Sequence, residues 1–70
     1  MDREIAHMQV RLFVGAWKKW NMTLQKCAEV FDLFDVDQYI ADSFEFFHVQ
    51  GDEANLIEIE EYLAGKGVVI

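Results

Sequence analysis

From Asp2 to Trp20 the apolar residues return every three or four positions. Ile5, Met8, Leu12, Phe13, Ala16, Trp17 and Trp20 fall on one broad arc of a helix, while Arg3, His7, Arg11 and Lys18 gather opposite. An arc that wide predicts a helix that meets more than one neighbour. Asn21 and Met22 break the period. Thr23 then stands where an N-cap is needed, its hydroxyl able to accept a free backbone N–H. Leu24, Cys27, Ala28, Val30, Phe31 and Phe34 give a second helix. Asp35 with Gln38 reads as a capping box, with Phe34 and Tyr39 placed as a hydrophobic staple. The third helix turns Tyr39, Ile40, Ser43, Phe44, Phe46 and Phe47 inward and Gln38, Asp42 and Glu45 outward. Gly51 is expected to stop it as a left-handed cap with positive φ. Asn55 with Glu58 reads as a third box, opening a helix with Leu56, Ile59, Tyr62 and Leu63 on one face, ended by Gly65 and Gly67.

The pattern therefore predicts an all-α fold. It is a single compact domain over residues 1–70, with four short helices at about 2–20, 24–34, 36–49 and 55–64. Val68, Val69 and Ile70 form an apolar tail that either packs back on the core or adds to a partner, with a short strand as the alternative to an extended tail.

Composition sharpens this picture in two ways. Seventy residues make a marginal core that usually needs a staple or a partner. The lone Cys27 has no internal disulfide partner, and in its apolar register it reads as a small buried hydrophobe. The absence of paired cysteines fits a reducing cytosol, so a cytoplasmic location is expected. Asp2, Glu4, Gln9 and Arg11 interrupt the first helix, which fits neither a leader segment nor a membrane span. The apolar content of 53% argues against disorder.

Charge is the second. The net charge is −7, unevenly spread. Residues 1–26 carry Arg3, Arg11, Lys18, Lys19 and Lys26 against Asp2 and Glu4, a net of +3, whereas residues 27–70 set only Lys66 against eleven acids. The thirty-nine residues from Cys27 to Gly65 contain no Lys or Arg. Such a surface repels phosphate backbones, so nucleic-acid binding is not expected. Helices two and three do have apolar spacing reminiscent of a helix-turn-helix, at Ala28, Leu33, Val36 and Ile40. The would-be reading helix, however, offers Asp37, Gln38, Asp42 and Glu45 rather than cations. The acidic run is either a solvated face or a docking face for a basic partner.

Candidate chemistry concentrates in Phe46 to Leu56, "FFHVQGDEANL". His48, Gln50 and Asp52 astride Gly51 permit a metal- or ligand-binding reading. The reading preferred for the same residues is a helix junction, in which Gln50, Asp52 and Asn55 satisfy freed backbone groups and His48 sits near a helix C-terminus, one turn from Phe44. The junction reading makes Gly51 and His48 matter for stability. Trp17 and Trp20 are either interface anchors or the floor of a small core. No nucleophile, phosphate-cradling loop or metal-ligand spacing is placed by any motif, so neither an enzyme nor a cofactor is expected. His7, on the basic face, reads as solvated.

The run "EVFDLFDVDQYIADSFEFFHVQG" followed by "LIEIEEYL" resembles a small bacterial family of domains of unknown function. Its members read as a helix, then Leu-Phe-x-x-Tyr-x-Val-x-x-Tyr-Ile, a Leu-His-Thr-Gln-Gly element, and an Ile-x-x-Ile-x-x-Tyr-Ile helix. Phe31, Leu33, Phe34, Val36, Tyr39, Ile40, His48, Gln50, Gly51, Ile59, Tyr62 and Leu63 fill comparable places, over roughly Phe13 to Leu63. Val49 replaces the usual Thr, Phe47 the usual Leu, and Phe34 or Asp35 takes the place of a loop Tyr-Gly. The resemblance implies no chemistry, but members are often encoded beside a small ADP-ribosyltransferase-like protein, an arrangement that resembles a toxin–antitoxin pair.

The expected function is thus a small acidic protein-interaction module. It would act as an antitoxin-like or regulatory partner of a neighbouring, basic protein, with His48, Gln50, Gly51, Asp52, Trp17, Trp20, Asp42 and Glu45 as the candidate interaction or junction residues. Two alternatives stay open: a metal- or ligand-binding protein centred on His48, Gln50 and Asp52, and a self-associating structural protein, such as a homodimer.

Overall fold

The first helix, α1, spans Arg3–Trp20 and starts where a capping side chain is available. The Asp2 carboxylate accepts from the backbone N–H of Glu4 at 2.8 Å and of Ile5 at 3.4 Å. The helix stops at Asn21, which takes a left-handed conformation at φ 51°. The computed structural model describes residues 2–70. Helix α2, Leu24–Leu33, opens on Thr23, whose hydroxyl accepts from Lys26 N–H at 3.1 Å as its position in the sequence demands. Three further helices follow: α3 (Val36–Asp42), the single turn α4 (Phe44–Phe47) and α5 (Asp52–Gly65). Four of the five exceed one turn, and among the described residues there is no strand, the tail at Val68–Ile70 included.

Several sequence expectations are corrected. The third helix does not run unbroken to residue 49. It breaks at Ser43, whose N–H is shared between Tyr39 and Ile40 carbonyls at 3.0 and 3.2 Å, and α4 restarts from the Ser43 carbonyl. The break shifts the register, so Phe47 is fully buried while Phe46, expected inward, is 52% exposed. Asp35 makes no capping bond with its side chain. It sits left-handed at φ 51°, and Gln38 instead donates to Asp42 at 2.9 Å. The last helix begins at Asp52 rather than Asn55, and Gly51 is its N-cap at φ −74°, ψ 162°, an ordinary extended conformation. The residue that does need to be glycine is Gly67, at φ +83°. Val68 N–H returns to Leu63 O and Gly67 N–H to Ala64 O, both at 3.0 Å, which closes α5 in a Schellman turn and folds the tail back.

The core is built from Met8, Leu12 and Ala16 of α1, Cys27, Val30 and Phe31 of α2, Val36 and Ile40 of α3, Phe47 of α4, and Leu56, Ile59 and Leu63 of α5. Leu24 and Ala28, placed inward by the sequence pattern, are exposed, because α2 meets its neighbours along a narrower stripe. The radius of gyration, 11.1 Å, is that of a compact chain of this length. Helix α1 is the centre, packing on α5, α3 and α2. Its contact with α5 is a parallel seam with three rungs four residues apart. Arg11 meets Asp52, Gly15 meets Leu56, and Lys19 meets Glu60. A Cβ on Gly15 would lie 3.2 Å from a Leu56 methyl, so the missing side chain sets how closely the helices approach.

Candidate functional site

The stretch Phe46–Leu56 folds as a joint between α4 and α5, and its keystone is Asn55. This side chain is fully buried in the first turns of α5. Its Nδ2 donates to the Phe47 carbonyl at 2.9 Å, satisfying an acceptor freed at the end of α4, and its Oδ1 accepts from Gln50 Nε2 at 2.7 Å. An exposed Asn capping a helix could have met water. A buried one must find both partners within the protein, and this one does. Among the described residues no buried side-chain polar atom is left without a partner.

Around that keystone the candidate residues separate. Asp52 is drawn to α1, accepting from Arg11 Nε at 2.8 Å and Nη2 at 3.2 Å. The fork geometry and the hydrogen bond to the carboxylate raise the Arg11 pKa further above its ordinary value. His48 is exposed. It stacks on Phe44 with ring centres 5.3 Å apart, and its Nδ1 lies 3.1 Å from the Phe44 carbonyl. Gln50 is spent on Asn55, and Gly51 contributes only its carbonyl, which accepts from Asn55 N–H at 3.1 Å. The three side chains proposed to share a ligand are thus each turned to a different neighbour. Among the described residues no three His, Cys, Asp or Glu side chains converge as a metal would require.

The Trp residues pack against the core, and Trp20 also lines a surface groove with Ala64. Trp17 and Trp20 are half-buried, and Trp20 tilts against Phe31 at 6.1 Å while its indole N–H donates to Glu60 at 2.8 Å. Cys27 is fully buried, and burial pushes its thiol up from the ordinary range, away from the nucleophilic thiolate.

The motif tyrosines are structural as well. Tyr39 and Tyr62 stack at 4.1 Å, Tyr39 meets Phe47 edge-on at 5.7 Å, and the Tyr62 hydroxyl donates to the Phe34 carbonyl at 2.8 Å. Burial, and then the nearby Glu58 carboxylate, raise the Tyr39 hydroxyl above its usual range. Lys66 lies over the outer part of this stack, 5.1 Å from the Tyr62 ring centre.

Asp42 and Glu45 stand exposed on α3 and α4, as do Glu29 and Asp32 on α2, Asp35 at the α2–α3 joint and Asp37 on α3. Among the described residues only two ion pairs form, Arg11–Asp52 and Lys19–Glu60, and both lie on the seam with α1. None reaches the six acids of α2 to α4. Asp37 differs from the rest. It borders a groove with Ala6, Val10 and Phe13, and this partial burial pushes its carboxyl up from the ordinary carboxylate value.

Sequence reasoning missed one grouping. His7, placed on the solvated side of α1, comes to the edge of a groove of about 320 Å³ that His48, Arg11 and Gln50 also line, floored by Met8 and Phe44. Nothing in the spacing of residues 7 and 48 signals that approach. The seam, by contrast, had a legible signal, since Arg11 and Lys19 stand eight residues apart, as do Asp52 and Glu60.

Among the described residues these features define a small five-helix α domain whose distinctive sequence elements serve its joints, and whose α2, α3 and α4 carry exposed acids. The chain belongs to the family described as Protein of unknown function (DUF3791), which it matches over residues 6–66. No curated protein and no solved structure matches it. Among the described residues, no helix is long and apolar enough to cross a membrane.

Proposed function

We propose that this domain is a protein-interaction module that binds and regulates a basic partner through the exposed acids of α2, α3 and α4. One observation carries this reading. Six exposed carboxylates stand on α2, α3, α4 and the joint at Asp35, with no Lys or Arg between Glu29 and Glu45 and no ion pair to the rest of the described chain. Solvated acids cost little, but a field of one sign steers oppositely charged partners and sets the orientation of encounter. The partner that the family resemblance suggests is a small ADP-ribosyltransferase-like protein encoded next door, in a bacterial cytoplasm, with this chain in the antitoxin-like role.

The test is co-purification of the full chain with its neighbouring gene product at low and high salt, beside a variant carrying Asp42→Asn, Glu45→Gln and Asp37→Asn. Association that the variant or high salt weakens supports the proposal. No association in either salt removes it. The small-ligand alternative has its own observation, the groove that brings His7, Arg11 and His48 together. Titration with divalent ions, followed by Trp17 and Trp20 emission, tests it, and unchanged emission and melting temperature would retire it.

A further inference from the structure

A separate region of the molecule has the opposite character. Because α1 and α5 run parallel, their C-terminal ends meet, and α2 starts beside them. Four of the six basic residues, Lys18, Lys19, Lys26 and Lys66, are carried by these helix ends. The folded-back tail crosses the same end. It divides two apolar grooves, one of about 500 Å³ against Trp20 and Ala64, the other of about 310 Å³ against α2. Lys26, Glu29, Val30 and Leu33 line the second along one stripe of α2, with Met22 just ahead of the helix. Leu33 is 75% exposed, Val69 is 96% exposed, and Ile70 is 45% exposed. Exposed apolar side chains gathered in this way mark a contact surface.

We propose that the occupant of this surface is a second copy of the same chain, docked about a two-fold axis. Charge selects that occupant. Two copies of net charge −7 repel across their acidic faces, and the repulsion is weakest where the lysines collect. The α2 stripe is also self-complementary, because it carries one cation and one anion a single turn apart. An antiparallel pairing of α2 with its copy sets Lys26 against Glu29 of the second copy. The same register sets Leu33 against its Met22, and repeats both contacts by symmetry, as an isologous interface requires. The acids of α3 and α4 lie off this stripe and stay available for another partner.

Sedimentation equilibrium of the full chain, from micromolar to millimolar concentration, tests the proposal. A monomer–dimer equilibrium is expected. Leu33→Glu should weaken it by at least about tenfold, since a charge would replace the most exposed apolar side chain of the stripe. Helix content by circular dichroism should be unchanged, because Leu33 is outside the core. Lys26→Glu and Glu29→Lys should each weaken the dimer by placing like charges opposite one another. The double exchange, which restores both the pair and the net charge, should return it to within about threefold of the parent. A monomer at every concentration overturns the proposal. So does a Leu33→Glu chain that dimerises like the parent, or a double exchange as weak as the single ones.

Discussion

Two joints reverse the chain, and they are built by opposite means. At the α2–α3 joint no glycine is available, and Asp35 itself adopts the left-handed conformation at φ 51°, with no side-chain cap for the helix it opens. The chain accepts local backbone strain there, and the Tyr62 hydroxyl, from a distant helix, ties down the Phe34 carbonyl. At the α4–α5 joint a glycine is present but sits at φ −74°, where any residue is comfortable. That turn is held by a buried side-chain amide, Asn55, bonded on both sides. The difference teaches that a glycine in a turn does not locate the strain. The first joint depends on a backbone conformation, the second on a desolvated hydrogen-bond network, and substitutions should separate them.

The largest effect is expected at the second joint. Asn55→Ala removes the amide that bonds the Phe47 carbonyl and the Gln50 side chain, leaving that carbonyl only the longer bond from Gln50 N–H at 3.3 Å, and should cost about 2 kcal/mol, measured by urea unfolding. A loss below about 1 kcal/mol would mean that water replaces the amide and that the joint is not sealed. At the first joint, Tyr62→Phe removes a single donor from the Phe34 carbonyl while keeping the stack on Tyr39, and should cost about 1 kcal/mol.

Glycine substitutions should then act with opposite sign from the intuitive one. Asp35→Gly relieves a left-handed non-glycine residue and should stabilise by up to about 1 kcal/mol, reduced by the extra freedom that glycine brings to the unfolded chain. Gly51→Ser should be neutral or stabilising by about 0.5 kcal/mol, because a Cβ there meets nothing within 4 Å and serine is a good N-cap. Destabilisation by Gly51→Ser would restore the left-handed reading of the turn and remove the contrast between the joints.

Those expectations also show what the sequence made legible. Periodicity is legible, and so is the Thr23 cap, whereas the expected left-handed Gly51 cap is not what forms. The extents of α1 and α2, the Thr23 cap and the buried face of α5 at Leu56, Ile59 and Leu63 all follow from local pattern. The capping boxes at Asp35 and Asn55 did not carry, because spacing alone cannot say whether a side chain satisfies its own helix or a carbonyl elsewhere. Asn55 is claimed by Phe47, eight residues back, and Gln38 by Asp42. No glycine or proline announces the break at Ser43, so the apolar pattern places Phe46 on the wrong face. Of the candidate site, the exposed acids are visible as a cation-free run, while the groove that His7 and His48 both line depends on tertiary packing and has no sequence signature.

The smallest predicted effect is at His48, and it bears most directly on what the joint is for. Were its ring buried against Phe44, truncation would remove packing and a hydrogen bond together and cost about 1–2 kcal/mol. The ring is instead exposed. It covers Phe44 from outside and places Nδ1 near a carbonyl that the backbone N–H of His48 already reaches at 2.8 Å. An exposed contact of this kind is worth less, because water replaces much of what is lost, and the carbonyl keeps its backbone partner. His48→Ala should therefore shift stability by no more than about 0.5 kcal/mol, with His48→Gln indistinguishable from it. Both variants should be compared with Asn55→Ala in one denaturant series, so that the ratio of effects, rather than either value alone, decides. A loss from His48→Ala approaching that of Asn55→Ala would make the histidine a second keystone and would blur the distinction drawn between the joints. If His48→Ala instead melts like the parent but loses partner or ligand binding, the residue stands at a docking position on a joint whose stability is held by Asn55.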